Sequence, residues 1–158
     1  MKTKIWILGL ICFFIYSCAV APAPRQIKNT FFIEKSFDDV WTAVIETFAE
    51  MTLPIMNMEK DSGLITTDWI DFTGSKGKEY CDCGKLGINI EIKRIGKFNV
   101  FVKKLNNACE IRITCSYQQI YEPISFSGKA VSQYKRDCIS TGKLEADMFN
   151  LIKSKLKI

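Results

Sequence analysis

The chain contains no histidine. That absence excludes Ser-His-Asp and Cys-His nucleophilic centres, HExxH zinc chemistry and switching by imidazole protonation. A GxSxG elbow is also missing, so the strained serine turn of that hydrolase type has no counterpart. No apolar run reaches the roughly 20 residues that a permanent membrane-spanning helix needs. No internal repeat or second domain is visible. Charge of one sign is barely in excess, with 22 basic against 17 acidic residues and a net +5. So mild a balance argues for no polyanion, and nucleic acid is not an expected partner. What is there is 158 residues, 47% hydrophobic and 25% charged, the composition of one ordinary globular domain. Seven cysteines are more than a cytosolic chain of this size usually carries.

The N-terminus has the tripartite form of a secretory leader. Met1-Lys2-Thr3-Lys4 precedes an apolar run from Ile5 to Tyr16, and Ser17-Cys18 closes it. Ile15-Tyr16-Ser17-Cys18 resembles the bacterial lipoprotein box. That resemblance implies cleavage between Ser17 and Cys18, diacylglycerol on the Cys18 thiol and an acyl chain on the new amine. Residues 1–17 are then leader, 18–29 a lipidated tether and 30–158 the folded domain. Ala19 to Pro24 is small and proline-containing, with nothing to bury. Three acyl chains anchor far more durably than one. Ala19 stands where an inner-membrane retention signal usually has aspartate, so the sorting rule favours the outer membrane, facing the periplasm. The expected partners are the membrane, through the acyl chains, and envelope proteins or lipid. Cleavage leaves 20 basic and 17 acidic residues, net +3.

In the body, residues 30–34 predict a short strand. Ser36 can cap a helix whose first turn holds Asp38 and Asp39, where the helix dipole favours negative charge. Phe37, Val40, Trp41, Val44, Ile45, Phe48 and Met51 form its apolar stripe, and Pro54 is expected to end it. Residues 55–60 and 64–72 predict a hairpin around Asp61-Ser62-Gly63. Residues 73–85 have the composition of an exposed loop. Its Gly74-Ser75-Lys76-Gly77-Lys78 lacks the spacing of a phosphate-binding loop. Three alternating strands follow. Leu86, Ile88, Ile90 and Ile92 mark the first; Phe98, Val100 and Val102 the second; Cys109, Ile111, Ile113, Cys115 and Tyr117 the third. Turns are expected at Ile95-Gly96 and at residues 105–108. A last helix follows Gly142, with Leu144, Met148, Leu151, Ile152 and Lys155 along one side. The expected order is β-α-β-β-β-β-β-α: an α+β domain with one antiparallel sheet and both helices on one face.

Phe37-Asp38-Asp39-Val40-Trp41 and Asp61-Ser62-Gly63-Leu64-Ile65 resemble the repeats of the helix-grip lipoproteins, among them lipoprotein C of the outer-membrane β-barrel assembly machinery. The sequence likeness spans residues 31–72, and the topology spans the mature chain. It implies a sheet gripping its C-terminal helix in a non-enzymatic, lipid-anchored accessory or interaction subunit. It brings no catalytic residues, and none are assigned.

With Cys12 cleaved and Cys18 acylated, Cys81, Cys83, Cys109, Cys115 and Cys138 remain. Cys109 and Cys115 share a strand face about 20 Å apart, too far to bridge, and should behave as small buried hydrophobes. Cys138 is expected to pair with Cys83 or Cys81 as a staple between loops. A metal or thiol-redox site is the sharper alternative, but neither CxxC nor a four-ligand zinc spacing is present. No metal or cofactor is assigned. The carboxylates form no recognisable acid–base pair. Charge is unevenly placed: residues 31–72 carry a net −7 and residues 73–104 a net +5. Lys93, Lys97 and Lys103 should share the outward sheet face with Arg112 and an exposed Phe101, a candidate contact surface for acidic protein or lipid headgroups. Two further functions stay open: an apolar or lipid ligand in the groove under the last helix, and a periplasmic thiol protein using Cys81 and Cys83.

Overall fold

The computed structural model describes residue 22 and residues 25–85, 89–123 and 132–158. The leader, the cleavage site at Ser17 and Cys18, and Leu86 and Ile88 lie outside the described residues. The elements are β1 (Thr30–Ile33), α1 (Phe37–Glu50), β2 (Ile55–Glu59), β3 (Leu64–Thr67), β4 (Ile70–Asp71), α2 (Ser75–Tyr80), β5 (Cys81–Asp82), β6 (Asn89–Lys104), β7 (Cys109–Pro123), β8 (Tyr134–Ser140) and α3 (Lys143–Lys155). They form an α+β domain: eight strands in one open antiparallel sheet, with three helices, among the described residues. The sheet order is β2-β3-β6-β7-β8-β5; β1 shares the edge of β7 with β8, and β4 shares the edge of β6 with β3.

Helix α1 forms as its sequence dictates. The Ser36 hydroxyl accepts the Asp39 N–H at 3.2 Å, and Asp38 and Asp39 occupy the first turn. It ends at Glu50 with Met51 as its cap, ahead of the expected Pro54. Thr52 takes a left-handed φ of 56°, and the N–H groups of Thr52 and Leu53 return to the carbonyls of Ala49 (3.1 Å) and Phe48 (2.9 Å). That is a complete Schellman closure, with threonine where glycine is usual.

The long meander strand corrects the sequence reading. No turn occurs at Ile95-Gly96; β6 runs unbroken from Asn89 to Lys104 beside β7. Gly96 lies opposite Tyr117, whose ring fills the space a side chain would take. A strand glycine here marks close approach rather than a turn. A bulge between Glu91 and Lys93 then reverses the alternation. Ile90 and Ile92 therefore face outward and are exposed, while Glu91 turns inward. The expected strand over 64–72 also breaks, at Asp68-Trp69, and resumes as β4 against Gly96.

Residues 73–85 are not an exposed loop. They form α2 and β5, with Gly77, Cys81 and Cys83 buried. A methyl group on Gly77 would overlap the Phe72 carbonyl oxygen, so the helix rests directly on the chain entering it. Strand β8, which the sequence pattern does not announce, carries Cys138. Residues 25–29, counted with the tether on composition, lie along the domain. The Asn29 carbonyl accepts the Ile113 N–H at 2.8 Å, and Arg25 pairs with Asp82 at 2.9 Å.

Helices α1 and α3 pack on one another over the inward face of β6 and β7. Val40, Val44 and Phe48 of α1 and Leu144, Met148 and Ile152 of α3 are fully buried with Phe98, Ile111 and Ile113 in one cluster. Phe31 stacks on Phe149 with ring centroids 4.0 Å apart, tying β1 to α3. No helix of the described residues is long and apolar enough to cross a membrane.

Candidate functional site

Strands β5 and β8 bring three cysteines together. Cys81 faces Ser140 and Asp82 faces Ile139, so the next pair in the antiparallel register is Cys83 and Cys138. These two are joined in a disulfide, with Cα atoms 4.2 Å apart. Of the two partners left open for Cys138 by the sequence, Cys83 is the one used. Cys81 keeps a free thiol, 1% exposed, whose Sγ lies 3.8 Å from that of Cys83 and donates to the Gly77 carbonyl at 3.2 Å. All three sulfurs lie within 4.8 Å of one another. As bonded, the trio offers a metal ion one thiol, short of the four ligands of structural zinc. Cys109 and Cys115 are free; Cys109 is buried, and Cys115 half-buried with its thiol pushed up by burial and the Glu145 carboxylate.

A polar network holds this cluster from one side, and it is the feature that sequence reasoning missed. Where α1 and α3 stop, the inward sheet face turns polar. Arg94, 8% exposed, donates to both carboxylate oxygens of Glu91 at 3.0 and 2.9 Å and to the Cys81 carbonyl at 3.3 Å. Gln119 donates to the same carboxylate and accepts from Arg136 at 2.7 Å. Arg136 also donates to the carbonyls of Gly84 (3.3 Å) and Lys85 (3.1 Å), clasping the segment after Cys83. Burial pushes the Glu91 carboxyl up, but Arg94 and Gln119 outweigh it and hold the group below its ordinary value. Burial likewise lifts the Cys81 thiol, against the opposing charge of Arg94. No local signal reveals the network, because only the bulge turns Glu91 inward. Nearby, the Glu145 carboxylate is 2% exposed, and its two oxygens share the Ser140 hydroxyl as donor, at 2.8 and 3.0 Å. It is a buried group rather than the solvated helix charge its position suggests.

The outward face carries the second candidate. The register places Lys93, Lys97, Phe101, Lys103 and Arg112 on one side of β6 and β7, with Phe101 opposite Arg112. Lys93, Lys103 and Arg112 are exposed; Lys97 and Phe101 are half-buried, so Phe101 is less open than its sequence context implied. Arg112 is paired with Glu110 at 2.9 Å. Phe101 lines a cleft of about 580 Å³ of mixed charge, with Phe37, Lys60, Lys103 and Lys104 but also Asp38 and Asp61. Lys60 holds Asp38 at 2.7 Å and depresses its carboxyl through that hydrogen bond and its charge. Side chains occupy the interface between the sheet and α3: Leu144, Met148 and Ile152 have no exposed surface.

Scanned against known protein families, the chain matches no family. A search of curated proteins likewise finds no match to its sequence.

Proposed function

We propose that the protein is a non-enzymatic, lipid-anchored envelope subunit, tethered through Cys18 to the periplasmic side of the outer membrane. In this reading it acts as an accessory or interaction partner in an assembly-machinery-like role, akin to the helix-grip lipoproteins it resembles. The observation that carries the reading is the leader ending in Ile15-Tyr16-Ser17-Cys18. The Cys83–Cys138 bridge supports it, because such bonds persist in oxidising compartments. Lys93, Lys97, Lys103 and Arg112 on the outward face suit an acidic protein surface, and Phe101 adds an apolar contact beside them.

The test is metabolic labelling with palmitate and intact-mass measurement of the natively expressed protein. The expected product begins at Cys18 and carries acyl chains, and Cys18→Ala moves it out of the membrane fraction. A chain still bearing its leader, or trimmed without lipid, refutes the anchor. Purification in gentle detergent should bring a stable partner, lost when Lys97 and Arg112 are both replaced by glutamate. Repeated isolation alone counts against the subunit role.

A further inference from the structure

The three sulfurs and the opening beside them point beyond a static staple. A cleft of about 430 Å³ is lined by Cys138, Cys115, Trp69, Tyr117, Gln118 and Asp137. Cys138 is half-buried there, whereas Cys81 and Cys83 are 1% and 2% exposed. Tyr117 faces Cys138 across the β7–β8 ladder and lines the same cleft. A free thiol thus sits against a disulfide whose far sulfur borders an open cleft.

We infer that Cys81, Cys83 and Cys138 form a thiol–disulfide exchange site that moves the free thiol from the buried position of Cys81 to the cleft at Cys138. The Cys81 thiol gives up its proton to solvent, its side chain rotates into line with the Cys83–Cys138 bond, and the thiolate attacks the Cys83 sulfur, which lies 3.8 Å away before that rotation. A Cys81–Cys83 bond forms, the Cys83–Cys138 bond breaks, and the departing electron pair stays on the Cys138 sulfur, which is protonated from the cleft. One disulfide and one thiol exist before and after, so no oxidant or reductant is consumed. Cys138 suits the leaving role because it is the sulfur nearest solvent. Its freed thiolate then attacks a disulfide small enough to enter the cleft, forming a mixed disulfide and releasing that molecule's second half as a thiolate. The exchange stands independently of the anchored-subunit reading.

Arg94, through its charge and its side-chain hydrogen bond, opposes burial and favours the thiolate. Glu91 and Asp82 act against it, and Tyr117 stands within electrostatic reach on β7. Below the thiol's pKa the rate should rise about tenfold per pH unit, following the thiolate fraction.

The test incubates the native full chain, purified without reductant, with the aromatic disulfide DTNB or with N-ethylmaleimide at mildly alkaline pH. After an acid quench, peptide mapping locates adducts and bridges. The expected product carries the label on Cys138 and a Cys81–Cys83 bridge within one peptide. Cys81→Ser should abolish Cys138 labelling while Cys115→Ser leaves it unchanged. Label on Cys81 with Cys83–Cys138 intact overturns the inference, as does no label on Cys138 after prolonged alkaline incubation. Because the mapping is read on the unmutated chain, it decides the matter even if Cys81→Ser fails to fold.

Discussion

Gly63 and Thr52 both hold left-handed backbone, at φ 72° and 56°, yet they stand in opposite relation to their surroundings. Gly63 closes the β2–β3 hairpin and is pressed on β6: its carbonyl accepts the Val102 N–H at 2.8 Å, and a methyl group would overlap the Val102 carbonyl oxygen. Gly63→Ala should therefore cost on the order of 2 kcal/mol or more, read as a lower urea midpoint. An unchanged midpoint would contradict so close an approach. Thr52 is the reverse case, a β-branched residue in a conformation that suits glycine. Thr52→Gly should raise stability by about 0.5–1 kcal/mol, seen as a thermal midpoint a few degrees higher. Both residues were legible only in part. The turn-forming triplet announced Gly63, whereas the Schellman closure at Thr52 carries no glycine to advertise it.

Among the elements, β6 shows best where local pattern runs out. Its alternation over Phe98, Val100 and Val102 fixes one face, and those residues are buried as expected. The same rule applied upstream puts Ile90 and Ile92 inside, and the bulge puts them outside. Gly96 misled for a related reason: glycine serves a turn and a close-packed strand equally well, and only the ring of Tyr117 on the next strand distinguishes them. The two-residue strand β5 depends on distant help. Thr141 donates its N–H to the Tyr80 carbonyl at 2.9 Å, and the disulfide ties Cys83 to Cys138 across 55 residues of chain. Replacing both bridged cysteines by serine should cost about 4 kcal/mol by loop-closure entropy, measured as a denaturation midpoint without reductant. A shift under a quarter of that would mean the polar clasp of Arg136, not the bridge, holds the segment.

At the scale of the whole molecule, the inward sheet face is divided between an apolar half under α1 and α3 and a polar half built on Glu91 and Arg94. The Glu91 carboxyl lies below its ordinary 4.5 in the fold. Its contribution to stability is thus present above that value and lost as pH falls through the lower folded one. Thermal midpoints followed from pH 6 downward should drop on the acid side, and Glu91→Gln should flatten that limb. An unaltered acid limb in the variant would assign acid sensitivity elsewhere.

The amino-acid order by itself determined the α+β class, the faces of α1 and α3, the buried phase of β6 over Phe98, Val100 and Val102, and the lack of imidazole chemistry. Each of these depends on residue identity or on spacing within a few positions, where helical and strand periods act. Tertiary structure alone decided that Cys83 rather than Cys81 takes Cys138, that Glu91 turns inward to Arg94, and that a free thiol rests 3.8 Å from a disulfide. Those outcomes follow from strand register and a single bulge, which bring together segments that no local period relates.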